Sequence, residues 1–341
     1  VSDGEIGGPG ELMTLADDEA IVWHGAEFRR WTDLPPDHLV DLDGHEVRTL
    51  PRRGELLARV ATVNDVHIGE TVAGMVGGSD EFETFSVPPG DLPYPEVMSR
   101  GAIEDISGWD PDLVVVKGDL TSEGTREQYE RFLQLYSPTF GDRLMHVRGN
   151  HESFHGLALA DDPCQERILA GVHVALLDTS RDGRVNGDLS DEQLDWLDEL
   201  GARADRPVLV FGHHPIWNHA EEPRSDHTFG LVPDATEALV EVFRRRHRLR
   251  GWFAGHTHRN RVVRHPELPD VPFAEVACVK DFPGSWAEYR VFDGLILQIH
   301  RRISTPDAVA WTERTRGMFA GTYPVYSRGT SSDRCFVVWQ Q

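Results

Sequence analysis

Positive charge is what this sequence has least of. Lysine and arginine total 34 against 57 aspartates and glutamates, a net charge of −23. Long nucleic acid and anionic membranes are therefore poor partners, because binding either one requires many cations set against phosphates. The run RRRHRLR at 244–250 departs from this trend. It follows the helix-like PDATEALVEVF, where positive charge at a helix carboxyl end is favourable, and it reads as a solvated helix end. Cysteine is also scarce. Cys164, Cys278 and Cys335 are far apart and in no CxxC pattern, which argues against a disulfide framework and a structural zinc site and points to the cytoplasm. No apolar run approaches the length of a membrane-spanning helix. The opening VSDGEIGGPGELMTLADDEA is acidic and glycine-rich where a secretory leader is basic and then apolar.

What is present suits a large core. With 341 residues, 39% of them hydrophobic, the chain can form one large α/β domain with additions, or two domains. Residues to about Glu19 read as flexible. The stretch from Ala20 to Pro51, broken by PP and DG, reads as a small β-rich extension with a hairpin at the DG, so 1–55 is one unit. From 56 to 303 short apolar runs alternate with amphipathic segments such as TREQYERFLQLY and SDEQLDWLDELGARA, the pattern of a layered α/β domain. Ser190 and Gln193 form a capping-box start for the second of these. The segment YRVF-DG-LILQIHRR signals a late hairpin. Residues 304–341 read as an irregular tail that packs back on the domain.

Polar residues gather where the apolar runs end. VATVNDVHIG places Asp65 and His67 after one run, and LVVVKGDLTSEG places Asp119 after the next. LMHVRGNHESFHG brings Asn150 and His151, VLVFGHHPIW brings His213 and His214, and FAGHTHRN brings His256 and His258. An aspartate or asparagine after a strand is ordinarily a turn residue or a helix cap. Here, however, glycine precedes the polar residue at Gly118, Gly149, Gly212 and Gly255, which permits sharp turns and close backbone approach. The carboxyl ends of strands in such sheets share an edge, so all these segments can converge in one crevice. Imidazole, carboxylate and amide ligands without thiolate suit manganese, iron, zinc, cobalt or nickel. The ligands are too many for one ion, and two ions about 3.5–4 Å apart, bridged by a carboxylate, would use them all.

Taken in order, D-x-H, G-D, G-N-H-E, G-H-H and G-H-T-H resemble the calcineurin-like metallophosphoesterase superfamily over roughly 56–302. The resemblance implies a four-layer αββα sandwich with a dinuclear centre, its metals manganese and/or iron, with zinc or cobalt as alternatives. Asp65, His67 and His258 would hold the first ion, Asn150, His213 and His256 the second, and Asp119 would bridge them. His151 would be the catalytic residue that protonates the leaving group or stabilises the transition state. The implied reaction is attack on a phosphate ester by a hydroxide shared between the ions.

Departures choose among branches. GDLTSEG replaces the GDYVDRG of serine/threonine protein phosphatases and lacks its second aspartate and its arginine, despite Arg148 and Glu152 beside GNHE. Ser122 stands where purple acid phosphatases carry tyrosine. The motif style is closer to bacterial cyclic-nucleotide and glycerophosphodiester phosphodiesterases, with Asn64 and Glu152 as departures from them. The expected substrate is a small-molecule phosphodiester. Phosphomonoester hydrolysis, on a small molecule or a phosphoprotein, and a non-catalytic metal-binding scaffold are the alternatives. Segments 70–95 and 217–232 read as loops around the cleft; His155, Trp217, Asn218, His219 and His227 lie in or near them as candidates for substrate contact, packing or surface placement being the ordinary alternative for isolated aromatic and imidazole residues.

Overall fold

The computed structural model describes residues 10–75, 82–154, 156 and 162–341. Side-chain alternation explains its layers. In the strand Leu56–Val63, Val60 faces one way and Ala61 and Val63 the other; in Leu113–Lys117, Leu113 and Val115 separate in the same manner from Val114 and Val116. Both faces of each strand are apolar, so both must be covered.

One six-stranded sheet runs Phe336–Gln340, Leu295–Arg302, Ser285–Phe292, Leu56–Val63, Leu113–Lys117, Leu144–Val147. The last three of these are parallel and the hairpin strands antiparallel. The other six-stranded sheet runs Arg261–His265, Leu268–Glu275, Leu249–Ala254, Val208–Phe211, Val172–Leu177, Cys164–Leu169. The sheets face each other across Val60, Val115, Val174, Phe211, Phe253 and Tyr289. Helices Tyr94–Trp109, Arg126–Phe140 and Pro306–Thr315 cover one outer face, and helices Asp191–Arg203 and Pro233–Arg245 the other. The architecture is the expected αββα sandwich. The capping box at Ser190 and Gln193 is present, as are the hairpins turning at Asp43–Gly44 and Asp293–Gly294.

Two terminal expectations differ from the structure. Residues 11–19 are not a flexible lead. Glu11–Leu15 is a strand paired with Ala20–His24, and Met13 and Ala16 are buried; its apolar face packs on Leu295, Leu297 and Ile299 of the late hairpin. The tail is not irregular either. It forms helices Pro306–Thr315, Tyr323–Arg328 and Ser331–Arg334, then the edge strand Phe336–Gln340. Its helices are short, so periodicity is weak in the letters, and burial of Trp311, Met318 and Tyr323 orders them.

Candidate metal centre

The parallel strands of both sheets end on one edge, and the turns beyond them carry the polar residues. Asp65, His67, Asp119, His256 and His258 all have left-handed backbone, with φ of 54°, 53°, 49°, 68° and 56°. Such geometry costs on the order of 1–3 kcal/mol per residue and persists only where surroundings enforce it. Here the turns lock each other: the Asp65 amide donates to Gly118 O, and those of Val66 and His67 donate to Asp119 O. Glycine is required where turns cross. A Cβ on Gly149 would lie 2.2 Å from Asp119 Oδ1, and one on Gly118 would lie 2.7 Å from His213 Nδ1.

The turns bring together every residue expected to bind metal. Asp119 Oδ2 is 3.5 Å from His67 Nε2 and 3.4 Å from His213 Nε2. Asp65 Oδ1 is 3.6 Å from His258 Nε2, and Asn150 Oδ1 is 3.1 Å from His213 Nε2. His151 Nε2 stands 4.0 Å from Asp119 Oδ2, while its Nδ1–H donates to Ser122 O at 2.6 Å. Its own amide donates to Asp119 Oδ1. All the expected metal ligands except His258 are buried, and His151 is half-buried.

The electrostatics ask for a cation. Burial opposes charge on Asp119, yet His213, His151 and His67 hold its carboxyl well below the usual range. Burial likewise opposes charge on His213, but Asp119 beside it raises that ring to about 9. The buried carboxylates thus draw positive charge onto an imidazole that a metal ion would displace. His256 goes the opposite way, pushed by burial and by His213 to about 3. Burial and then Lys280 keep His67 neutral. Neither ring nitrogen of His67 has a hydrogen-bond partner, nor does His256 Nε2. Buried polar atoms are nearly always satisfied, so His67 Nε2, on the Asp119 side, and His256 Nε2 fit a bound cation. Carboxylates, amide oxygen and imidazoles form a donor set for a divalent transition ion.

Neighbouring residues divide into braces and bystanders. Glu152 accepts from the Thr121 amide and hydroxyl and from the Gly149 amide, tying two turns together. Asn64 donates to Asp65 Oδ2 and Val276 O. His214 lies against His213 and His256, ring centroids 4.8 and 4.7 Å apart, but its two ring nitrogens are taken up by Thr179 and Val185 O, and Arg148 turns to Asp178 and Asp182. Of the loop residues, Asn218 lines a cavity beside the centre, and Trp217 and His219 line a separate one. His227 is exposed. His155 lies outside the described residues, as do 76–81 of the first loop.

Sequence reasoning missed a second ring of residues. Lys280, buried, contacts both carboxylate oxygens of Glu70 at 2.8 and 2.6 Å, and Glu70 Oε2 is 3.6 Å from His67 Nδ1. Cys278 lies close to His258 and donates to Asp281 Oδ1 at 2.9 Å; burial pushes its thiol up to about 11, so it is no thiolate. Phe229 sets its ring 4.2 Å from that of His256. The one available signal was their place just past a strand end or inside a predicted loop.

Comparison with known proteins gives the family and the fold. A family model described as calcineurin-like phosphoesterase matches residues 58–260. A probable cyclic nucleotide phosphodiesterase of Rhodococcus erythropolis is 30% identical over 151 residues, 39% of this chain and 50% of that protein. A 3′,5′-cyclic adenosine monophosphate phosphodiesterase, CpdA, of Pseudomonas aeruginosa is 34% identical over 111 residues, 31% of this chain and 40% of that one. A probable glycerophosphodiester phosphodiesterase, GpdQ, of Arcobacter nitrofigilis is 27% identical over 165 residues, 44% and 57% respectively. The matches thus span about half the length of these relatives. Among solved structures, a dimetal phosphatase from Danio rerio aligns with TM-score 0.55 at 18% identity, covering 73% of this chain and 98% of that one. A purple acid phosphatase from yellow lupin aligns with TM-score 0.50 at 14% identity, covering 84% and 57%. These structural likenesses concern the fold.

Proposed function

Because the chain belongs to the calcineurin-like phosphoesterase family, we propose that it hydrolyses a small-molecule phosphodiester with the help of two divalent metal ions, manganese and/or iron in first place. Asp65, His67 and His258 would hold one ion, Asn150, His213 and His256 the other, with Asp119 shared. The observation that carries this reading is the position of Asp119 Oδ2, facing His67 and His213 at once, beside imidazole nitrogens that are buried and unpartnered. The named activities of the similar proteins, cyclic nucleotide and glycerophosphodiester hydrolysis, support a diester.

When bound, the two ions would supply a nucleophile active near neutral pH and positive charge against the phosphate. The chain's own residues do the rest. Asp119 and Asp65 are fixed by backbone amides and by Asn64, so the ligand geometry is set before substrate arrives. His151 commits Nδ1–H to Ser122 O, so Nε2 is the nitrogen free to exchange a proton: as the imidazolium it would give that proton to the leaving oxygen, and the neutral ring would regain one from water. Arg148 is paired with Asp178 and Asp182 and is given no part in phosphate binding.

The test is to strip the protein with chelator and restore manganese, iron, zinc or cobalt singly. Each form is then assayed on cyclic nucleotides, glycerophosphodiesters, monoesters and phosphopeptides. Metal-restored cleavage of diesters above monoesters is expected. Monoester preference would reassign the enzyme as a phosphatase, and no hydrolysis with any metal would leave a metal-binding scaffold.

A further inference from the structure

A cavity of about 190 Å³ lies beside the centre, beneath the loop 217–232. No candidate metal ligand lines it, but their chain neighbours do: Pro215 follows the His213–His214 pair, and Thr257 and Arg259 flank His258. Four aromatic side chains border it: Trp252 and Phe273 are buried, and Phe229 and Tyr326 are 47% and 45% exposed. Phe229 and Tyr326 are anchored against the histidine motif. The Phe229 ring lies 4.2 Å from that of His256 at an interplanar angle of 31°, and the Tyr326 hydroxyl donates to Thr257 O at 2.8 Å. The Arg259 guanidinium sits 5.4 Å from the Tyr326 ring centroid and is held by Glu275. The loop itself is fastened by Arg261 to Glu221 and by Asn186 to Asp226 O, so the cavity is a formed feature.

Half-exposed aromatic side chains offer apolar area that a planar ligand can cover; the Tyr326 ring is also stacked beside Tyr323, centroids 6.3 Å apart. The cavity also presents Asn218 and Glu222, an amide and a carboxylate of the kind that pair with the donor and acceptor edge of a heterocycle. A glycerol group could hydrogen-bond to Asn218 and Glu222 as well, but it would leave the aromatic rings uncovered. We propose that this cavity seats the nucleobase of a nucleoside phosphoester, with Phe229 and Tyr326 as its stacking surfaces. The assignment rests on the phosphodiesterase reading above and narrows its substrate to nucleotides.

The decisive measurement uses no hydrolysis. Adenosine and guanosine are titrated calorimetrically into the full chain, before and after metal loading. Binding is expected, weakened about 5- to 150-fold in Phe229→Ala and in Tyr326→Ala, the usual range for removing one base–aromatic stack. Tyr326→Phe should keep most of the affinity, since it retains the ring. In turnover, the preference for a cyclic nucleotide over glycerophosphoethanolamine should fall by a similar factor in Phe229→Ala, compared with the parent at matched metal loading. Nucleosides that do not bind, or that bind the alanine variants equally well, overturn the proposal. Nucleoside binding that depends on Phe229, in a protein that cleaves no phosphoester, would uphold the cavity assignment and overturn the hydrolase reading.

Discussion

His67 offers the clearest case of a single side chain depending on others. Its Nε2 faces Asp119 and its Nδ1 faces Glu70, which Lys280 holds with both oxygens. A carboxylate behind a metal-binding histidine fixes the tautomer and raises ligand basicity, and losing it typically costs about 10–100-fold in metal affinity. Glu70→Gln should therefore weaken manganese binding by that factor in a calorimetric titration, with Glu70→Asp recovering part of it. His151→Ala should behave differently. Turnover should fall by about 10²–10⁴-fold while metal content, read by elemental analysis, stays near that of the parent. Lys117 gives a pH test. Burial lowers its ammonium from 10.5 to about 7, so between those values the unfolded chain keeps a proton that the folded chain has released. Stability then rises with pH across that window and is lost as pH falls toward 7. Lys117→Met removes the dependence, so any stability advantage of the variant in urea should shrink between pH 7 and pH 9.

The strands carry their information in alternation, the helices in caps, and the site in the turn at the end of each parallel strand. That is why a layered α/β domain, the hairpins and the convergent turns were readable from the letters, while the two-sheet sandwich followed from the family resemblance. Glu70 with Lys280, and Phe229 with Tyr326, were not readable, because each pair joins segments distant in the chain through contacts that no periodicity encodes. The strand Glu11–Leu15 was hidden by its glycine- and acid-rich surroundings, and its partner face on the late hairpin decides its structure. Between the sheets, Phe211 has its ring centroid 5.3 Å from that of Phe253 and 5.4 Å from that of Tyr289. Phe211→Ala would leave a cavity at the centre of the stack and should cost about 3–5 kcal/mol, measured by denaturant unfolding. Because Phe211 sits just before Gly212 and His213, the same variant should also loosen metal binding.

For the molecule as a whole, two divalent ions bound only by the folded state would act as a stabilising ligand. At a metal concentration one hundred times the dissociation constant the gain is about 2.7 kcal/mol per site. The thermal midpoint should rise on adding manganese to stripped protein, and a chelator should reverse it. The chain's net charge of −23 attracts such cations and is screened by salt, so the shift should be larger at low ionic strength.

The two lysines in these 341 residues are Lys117 and Lys280. Both are interior, one donating to Ala254 O and the other clasping Glu70. The folded surface therefore offers no side-chain amine across this span. Amine-reactive dyes and crosslinkers would find these positions closed until the protein unfolds, and enzymes that attach acyl groups or degradation tags to lysine would have no foothold on the native form. Labelling at Lys280 would thus report the opening of the cleft wall rather than surface exposure.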